Sequence, residues 1–131
     1  MPKWTCALIA ATASAPAQSQ RTWRSDAVAR ALASADDLAL VAEENDSVVG
    51  FICGHDNGFR AYLSELVVSE QWQRRGLGSA LLSALEQGVA KRGCHLPIAD
   101  SYPPAVPFYR GLGWREPRAS LLSHVITVAA A

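Results

Sequence analysis

The sequence predicts an α/β fold, one domain built on a mixed, mostly antiparallel sheet flanked by helices. Three observations carry that expectation. Strand-like apolar runs alternate with amphipathic helical runs in the order strand, helix, strands, helix, strand, helix, strands. Two of the strands flank the polar turn Glu44-Asn45-Asp46-Ser47, a hairpin signal that puts antiparallel neighbours into the sheet. The chain has 131 residues, half of them hydrophobic, which suits one globular core rather than several or a disordered chain.

The elements follow in order. Trp4 to Thr12 reads as a first strand and Ala15 to Gln20, made of Ala, Pro, Ser and Gln, as a loop. Ser25 to Ala35 reads as a helix, with Ser25 as N-cap, Asp26 in the first turn, and Val28, Ala31 and Leu32 on one face. Leu38 to Glu43 and Val48 to His55 are the hairpin strands, and Asp56-Asn57-Gly58 is a second turn. Ala61 to Val68 is the next strand. Leu77, Leu81, Leu85 and Val89, with Ala84, form a helical stripe that ends near Gly93. His95 to Ala99 is a short strand. Pro104 to Leu112 is a short helix, with Pro near its start and Gly113 past its end. Leu121 to Val128 is a last strand. No internal repeat or linker divides the chain, so residues 1–131 are expected to be one domain.

The junction between the strand ending Leu66-Val67-Val68 and the helix beginning at Leu77 carries the chemistry. Its residues are Gln73, Arg74, Arg75, Gly76, Leu77, Gly78 and Ser79. Two glycines let a backbone approach a ligand closely, and a helix N-terminus supplies unpaired N–H donors and partial positive charge. Arg74 and Arg75 add charge-assisted contacts. The arrangement is built to hold a phosphate. A Walker loop is excluded, because Gly78 is followed by Ser79-Ala80 rather than Lys-Ser/Thr. The dinucleotide fingerprint is excluded as well, because Leu81 stands where its third Gly belongs.

The remaining pattern, Gln-x-x-Gly-x-Gly, resembles the acetyl-CoA motif of the GCN5-related N-acetyltransferases, the GNAT superfamily. Two further segments strengthen the likeness. Phe108-Tyr109 followed by Gly113-Trp114 resembles the family's later Phe-Tyr-x-x-x-Gly-Phe element, with Trp114 replacing Phe. The hairpin from Leu38 to Ile52 resembles the one that commonly precedes the CoA strand. The resemblance covers Leu38 to about Glu116. It implies a GNAT-like acyl-CoA N-acyltransferase fold with a shortened N-terminal region, since the family usually has two helices after its first strand. It also implies acetyl-CoA as co-substrate and needs no metal. The loop Gln73 to Ser79 would cradle the CoA pyrophosphate, and Leu66, Val67 and Val68 would bind pantetheine through free backbone groups where that strand splays from its neighbour. Tyr109 would protonate the departing thiolate. Glu65 is the candidate base for the acceptor amine, with Asp100 and Asp56 as fallbacks. Tyr102 stands where the family often has Asn against pantetheine.

The function expected is acetyl transfer from acetyl-CoA to a primary amine, small or peptidic, by direct attack in a ternary complex. An alternative is a catalytically weak acyl-CoA-binding module without an acceptor pocket, motivated by the short front and Tyr102. A nucleotide-phosphate-binding domain is a third. Charge balance at 12 basic against 12 acidic residues argues against a nucleic-acid partner. Cys6, Cys53 and Cys94 are odd in number and widely spaced, which suits a reducing cytoplasm better than a disulfide framework. The segment from Lys3 to Ala15 has a faint secretory look, but Pro16 directly after Ala13-Ser14-Ala15 is unfavourable for cleavage. No run approaches the ~18 apolar residues of a membrane span. Cys53 and His55 share a strand face, too few ligands for a metal. The apolar tail Leu121 to Ala131 either supplies an edge strand to a homodimer or closes its own sheet.

Overall fold

The computed structural model describes residues 24–128 and, by backbone pairing, the strand Lys3–Cys6. Its elements are β1 (Lys3–Cys6), α1 (Ala27–Ala35), β2 (Ala39–Glu44), β3 (Ser47–Asp56), β4 (Ala61–Val68), α2 (Leu77–Lys91), β5 (Pro97–Ala99) and α3 (Val106–Gly111). The strands lie in sequence order in one sheet. β1–β2, β2–β3 and β3–β4 pair antiparallel, and β4–β5 pairs parallel. The expected mixed, mostly antiparallel sheet is therefore present. The sheet with α1 and α2 belongs to one compact unit, Met1–Ala99, and α3 belongs to a second, Asp100–Ala131.

The β2–β3 hairpin closes on Asn45 and Asp46, with φ of 51° and 62°. Two consecutive left-handed residues make the turn whose twist matches that of the strands, and Asn and Asp tolerate that region better than most residues. The Asp56–Gly58 turn is held by its own side chains. Asp56 Oδ1 accepts from the Gly58 N–H, and Asn57 Oδ1 accepts from the N–H groups of Phe59 and Arg60.

The two faces of the sheet differ. Leu77, Leu81, Leu82, Leu85 and Val89 of α2 are buried, 5% exposed or less. They lie on the β3 face presented by Gly50, Ile52 and Gly54. A Cβ added at Gly50 would stand 2.9 Å from Leu81 Cδ1, and one at Gly54 would stand 2.8 Å from Leu85 Cδ1. These glycines let the helix settle directly on the strand. On the other face Ala35, Ala39 and Cys53 are buried, with Leu32 and Phe51 packed against them.

Several expectations need correction. Ser25 is not the cap of α1; Asp26 takes that place, and its carboxylate pairs with Arg24 and Arg30 rather than with a backbone N–H. Those guanidinium groups, Arg30 first, hold the Asp26 carboxyl below its usual range. Val28 is 39% exposed, so the buried face of α1 runs through Leu32 and Ala35 instead. The short strand expected from His95 begins only at Pro97. Of the strand expected at Trp4 to Thr12, residues 7–12 lie outside the described residues, as do the loop Ala15 to Gln20 and the segment around Ala13-Ser14-Ala15.

The strand expected at Leu121 to Val128 is absent. Leu121, Leu122, Val125, Ile126 and Val128 are each at least 75% exposed. Their apolar residues come as adjacent pairs rather than in alternation, so no single face is apolar. Strand propensity without a paired ladder does not hold an extended segment.

Arg92, just past α2, fastens the helix to the turn after α1 and to the end of β3. Its Nε and Nη2 donate to Asp37 Oδ1 and its Nη2 donates to Asp36 Oδ2, while Nη1 lies 3.6 Å from Asp56 Oδ2. The Asp37 hydrogen bond, the largest influence, pushes the guanidinium pKa further up. Arg92→Ala would leave three acidic groups without their shared cation. It is expected to lower stability by about 1–2 kcal/mol, the scale of a small partly screened network. Urea titrations at low and high salt check this, and the difference should shrink as salt rises.

Candidate active site

β4 is paired differently along its two edges. Toward β3 it pairs from Ala61 to Val68. Toward β5 the parallel ladder is Ala61↔Pro97, Tyr62↔Ile98 and Leu63↔Ala99, and it stops there. From Ser64 onward that edge of β4 has no ladder among the described residues. A bulge coincides with the change, because Cys53 pairs with Glu65 and Gly54 with Leu63, leaving Ser64 as the extra residue. Leu66 and Val68 are half-buried, and Val67 is 51% exposed. The strand is therefore not continuously buried. Among the described residues its second edge carries no ladder beyond Leu63.

The chain leaves β4 through a tethered turn. Ser69 N–H donates to Val49 O at 2.9 Å, and Trp72 N–H to Ser69 O at 2.9 Å. The Gln73 side-chain amide donates back to Val68 O at 3.1 Å, tying the loop to the end of the strand. Arg74 has φ 62° and Gly76 φ 83°. Two left-handed residues so close together turn the backbone sharply into α2, and only Gly accepts that region without strain. Gly76 is the N-cap of α2 and offers no side chain there. The first helical bond runs from Ala80 N–H to Gly76 O, so the N–H groups of Leu77, Gly78 and Ser79 precede the ladder. Those donors lie at the positive end of a 15-residue helix.

The sequence-predicted loop residues thus come together, with different parts to play. Gln73, Arg74, Arg75 and Gly76 are exposed, while Gly78 and Ser79 are half-buried in the first helical turn. Leu77 is a core residue at 5% exposure, so only its backbone faces the loop. The Arg75 guanidinium lies 5.3 Å from the centre of the Trp72 ring, a stacking that holds the cation beside the turn.

Glu65 is exposed on β4 opposite Cys53. Of the fallback carboxylates, Asp56 is occupied by Arg92 and its own turn. Asp100 lies in the second unit with Tyr109. There Tyr109 is half-buried at the start of the last turn of α3, its ring 5.2 Å from Phe108 and 5.4 Å from Trp114, both tilted. Burial first, and the charge of Asp100 second, push the Tyr109 hydroxyl pKa up. Tyr102 is 69% exposed and precedes the turn Pro103–Ala105.

One polar cluster was not foreseen. His55 Nδ1 lies 2.6 Å from Ser34 Oγ, and His55 Nε2 lies 2.8 Å from Ser64 Oγ. Cys53 Sγ is 3.7 Å from the same Nε2. Both imidazole nitrogens are engaged by hydroxyls, which is not the arrangement of a metal ligand pair. No group of three or more His, Cys, Asp or Glu among the described residues is placed to hold a metal ion. Burial pushes the Cys53 thiol pKa up, with a smaller push from Glu65 against a hydrogen bond from Ser64, so Cys53 is a buried neutral thiol. No helix among the described residues is long and apolar enough to cross a membrane.

A strand that loses one ladder partner thus feeds a glycine turn and a helix N-terminus. Residues 7–114 match the acetyltransferase (GNAT) family, and the chain belongs to that family. An acetyltransferase of Pectobacterium atrosepticum is 35% identical over 79 residues, covering 58% of this chain and 56% of the relative. The chain thus spans just over half the length of that relative. Among solved structures, a candidate acetyltransferase of Deinococcus radiodurans superposes with a TM-score of 0.67 at 23% identity. It covers 93% of this chain and 87% of its own. An aminoglycoside N-acetyltransferase solved in complex with CoA superposes at 0.59 with 18% identity, over 68% and 75%. Both likenesses are to the fold.

Proposed function

We propose that the chain is an acetyl-CoA-dependent N-acetyltransferase, in which a primary amine attacks the thioester directly in a ternary complex. The observation that carries this reading is the junction itself. β4 loses its β5 partner at Leu63, and its far end runs into a left-handed Gly76 that caps α2. Backbone groups along an edge without a ladder suit an amide-bearing pantetheine arm, and the three leading N–H groups of α2 suit a pyrophosphate. Arg74 and Arg75 add positive charge at the same end. The aminoglycoside enzyme solved with CoA supports both the donor and an amine acceptor.

In this reading Leu66, Val67 and Val68 hold the pantetheine and aim the thioester carbonyl at a backbone N–H. Gln73 to Ser79 hold the pyrophosphate. Glu65, an exposed carboxylate on the open half of β4, meets the cationic amine and takes its first proton. Tyr109 gives a proton to the thiolate as it leaves. The whole of 1–131 acts as one domain in the cytoplasm, and the acceptor is an amine on a small molecule or peptide.

Calorimetry with CoA, acetyl-CoA and ATP, followed by thiol release with an amine panel, tests the reading. Binding of CoA but not ATP, with acetyl-CoA consumed only when an amine is present, is the expected result. CoA binding without turnover for any amine would favour the acyl-CoA-binding module instead. No CoA binding at millimolar concentration would sink both.

A further inference from the structure

Between its ammonium form and the amide product, an acceptor amine loses two protons, while the thiolate takes up one. We propose that Ser64 and His55 form a proton relay at the vertex where β4 parts from β5, with Ser64 touching the attacking amine and Ser34 positioning the imidazole. This inference rests on the acetyltransferase reading and adds the acceptor of the second proton.

The position is the first argument. Ser64 is the bulged residue, the first on β4 beyond the last β5 pair at Leu63↔Ala99. The open edge that would carry the acyl group starts there. Ser64 is half-buried rather than sealed, as is His55.

The hydrogen bonds give the proton a path. Ser34 Oγ lies 2.6 Å from His55 Nδ1 and 3.3 Å from Ala31 O, so with its own proton on Ala31 O it accepts from an Nδ1–H, the tautomer the relay uses. In that tautomer Nε2 is the basic nitrogen, with Ser64 Oγ 2.8 Å away to donate to it. The competing acceptor for Ser64, Cys53 O, is farther at 3.3 Å. The charged state is satisfied too. With both ring nitrogens protonated, each donates to a serine oxygen, and the two hydroxyls turn to Ala31 O and Cys53 O. A half-buried imidazole with partners in both states is equipped to hold a proton and release it.

Its ionisable neighbours permit this. On β3 it has Cys53, held neutral by burial, and on β4 it has Tyr62, stacked at 6.5 Å, and Glu65. α1 brings Ser34, and its Arg30 is held by Asp26. Asp36, Asp37 and Asp56 are drawn to Arg92. Burial pushes the His55 pKa below its ordinary 6.5, so the ring is neutral and basic at neutral pH.

In the step, nitrogen bonds to the acyl carbon and the C–S bond breaks, its electron pair leaving on sulfur. The proton on nitrogen passes to Ser64 Oγ as the proton of Ser64 passes to His55 Nε2. Tyr109 protonates the thiolate, and His55 later gives its proton to water.

The test measures kcat/KM against pH with three amines: an aminoglycoside, an amino-acid amide and a peptide with a free N-terminus. Wild type is compared with His55→Gln, Ser64→Ala and Glu65→Gln, and CoA affinity is measured in each. The wild type should lose kcat/KM on the acid side through a limb below pH 6.5. His55→Gln and Ser64→Ala should each fall about 100-fold and lose that limb, the double variant falling little further, with CoA affinity within about twofold of wild type. Glu65→Gln should keep the limb. Nitrogen-15 NMR of the wild-type imidazole, which needs no variant, should report the Nδ1–H tautomer. An active wild type whose rate and limb survive in His55→Gln, or an Nε2–H ring, overturns the relay and leaves acetyl transfer standing. A wild type that binds CoA but acetylates none of the amines overturns both.

Discussion

Leu85→Ala is expected to lower stability by about 3–4 kcal/mol, which for a domain of this size moves the unfolding midpoint down by roughly 10–20 °C. Leu85 is 1% exposed in the middle of α2, and its Cδ1 occupies the space beside Gly54 of β3, where an added Cβ would stand 2.8 Å away. The space left by truncation cannot be closed from the β3 side. Gly54 has no side chain to move in, and β3 is held by ladders to β2 and β4. Urea unfolding followed by far-UV circular dichroism measures the loss. Pairing the change with Gly54→Ala, which alone overpacks the contact, should give less than the sum of the two, because the added methyl enters space that Leu85→Ala vacates. A loss below about 1 kcal/mol for Leu85→Ala would mean that α2 does not rest on β3 at this point.

Much of this architecture could be read before any coordinates because it rests on local chemistry. The Asn45-Asp46 turn, the Leu77-Leu81-Leu85-Val89 stripe and the glycine turn before α2 each have a short-range physical cause, and each lies where expected. Leu82 escaped the stripe because the helix buries a second row against the sheet, a property of what it packs on. The tail at 121–128 failed for a related reason. Its residues favour strand, but a strand exists only with a partner edge, and composition cannot supply one.

The candidate site divides along the same line. The loop residues are contiguous, so a spacing rule finds them. Ser64 and His55 meet only because β3 and β4 pair with one extra residue on β4, and Ser34 joins them only because α1 crosses that face. A bulge leaves no composition signature, and Ser64 sits unremarkably between Leu63 and Glu65. The available hint was Cys53 and His55 sharing a strand face. That pair is too small for a metal site, and the nearer partners of His55 are hydroxyls from two other elements.

Tyr109→Phe is expected to lower turnover with acetyl-CoA about 100-fold or more while leaving CoA affinity and folding nearly unchanged. The reasoning begins with what the substitution keeps. Phe retains the ring that packs against Phe108 and Trp114, so α3 should hold its local structure. What disappears is one hydroxyl whose proton is held more tightly than usual, by burial first and Asp100 second. Because its pKa is raised, Tyr109 stays protonated throughout the neutral and mildly alkaline range and is lost as a donor only above its ordinary pKa of about 10. The wild type should therefore show no alkaline loss from this group below about pH 10, and the variant should be slower by a constant factor across that range. A phenol suits the task, since a CoA thiolate of somewhat lower basicity needs a donor that is itself undissociated at working pH. Thiol release under saturating acetyl-CoA and amine, measured from pH 6 to pH 9.5, separates the outcomes. A parallel, uniformly lowered profile supports proton donation by Tyr109. Unchanged turnover removes Tyr109 from the chemistry and leaves it as a packing residue of α3.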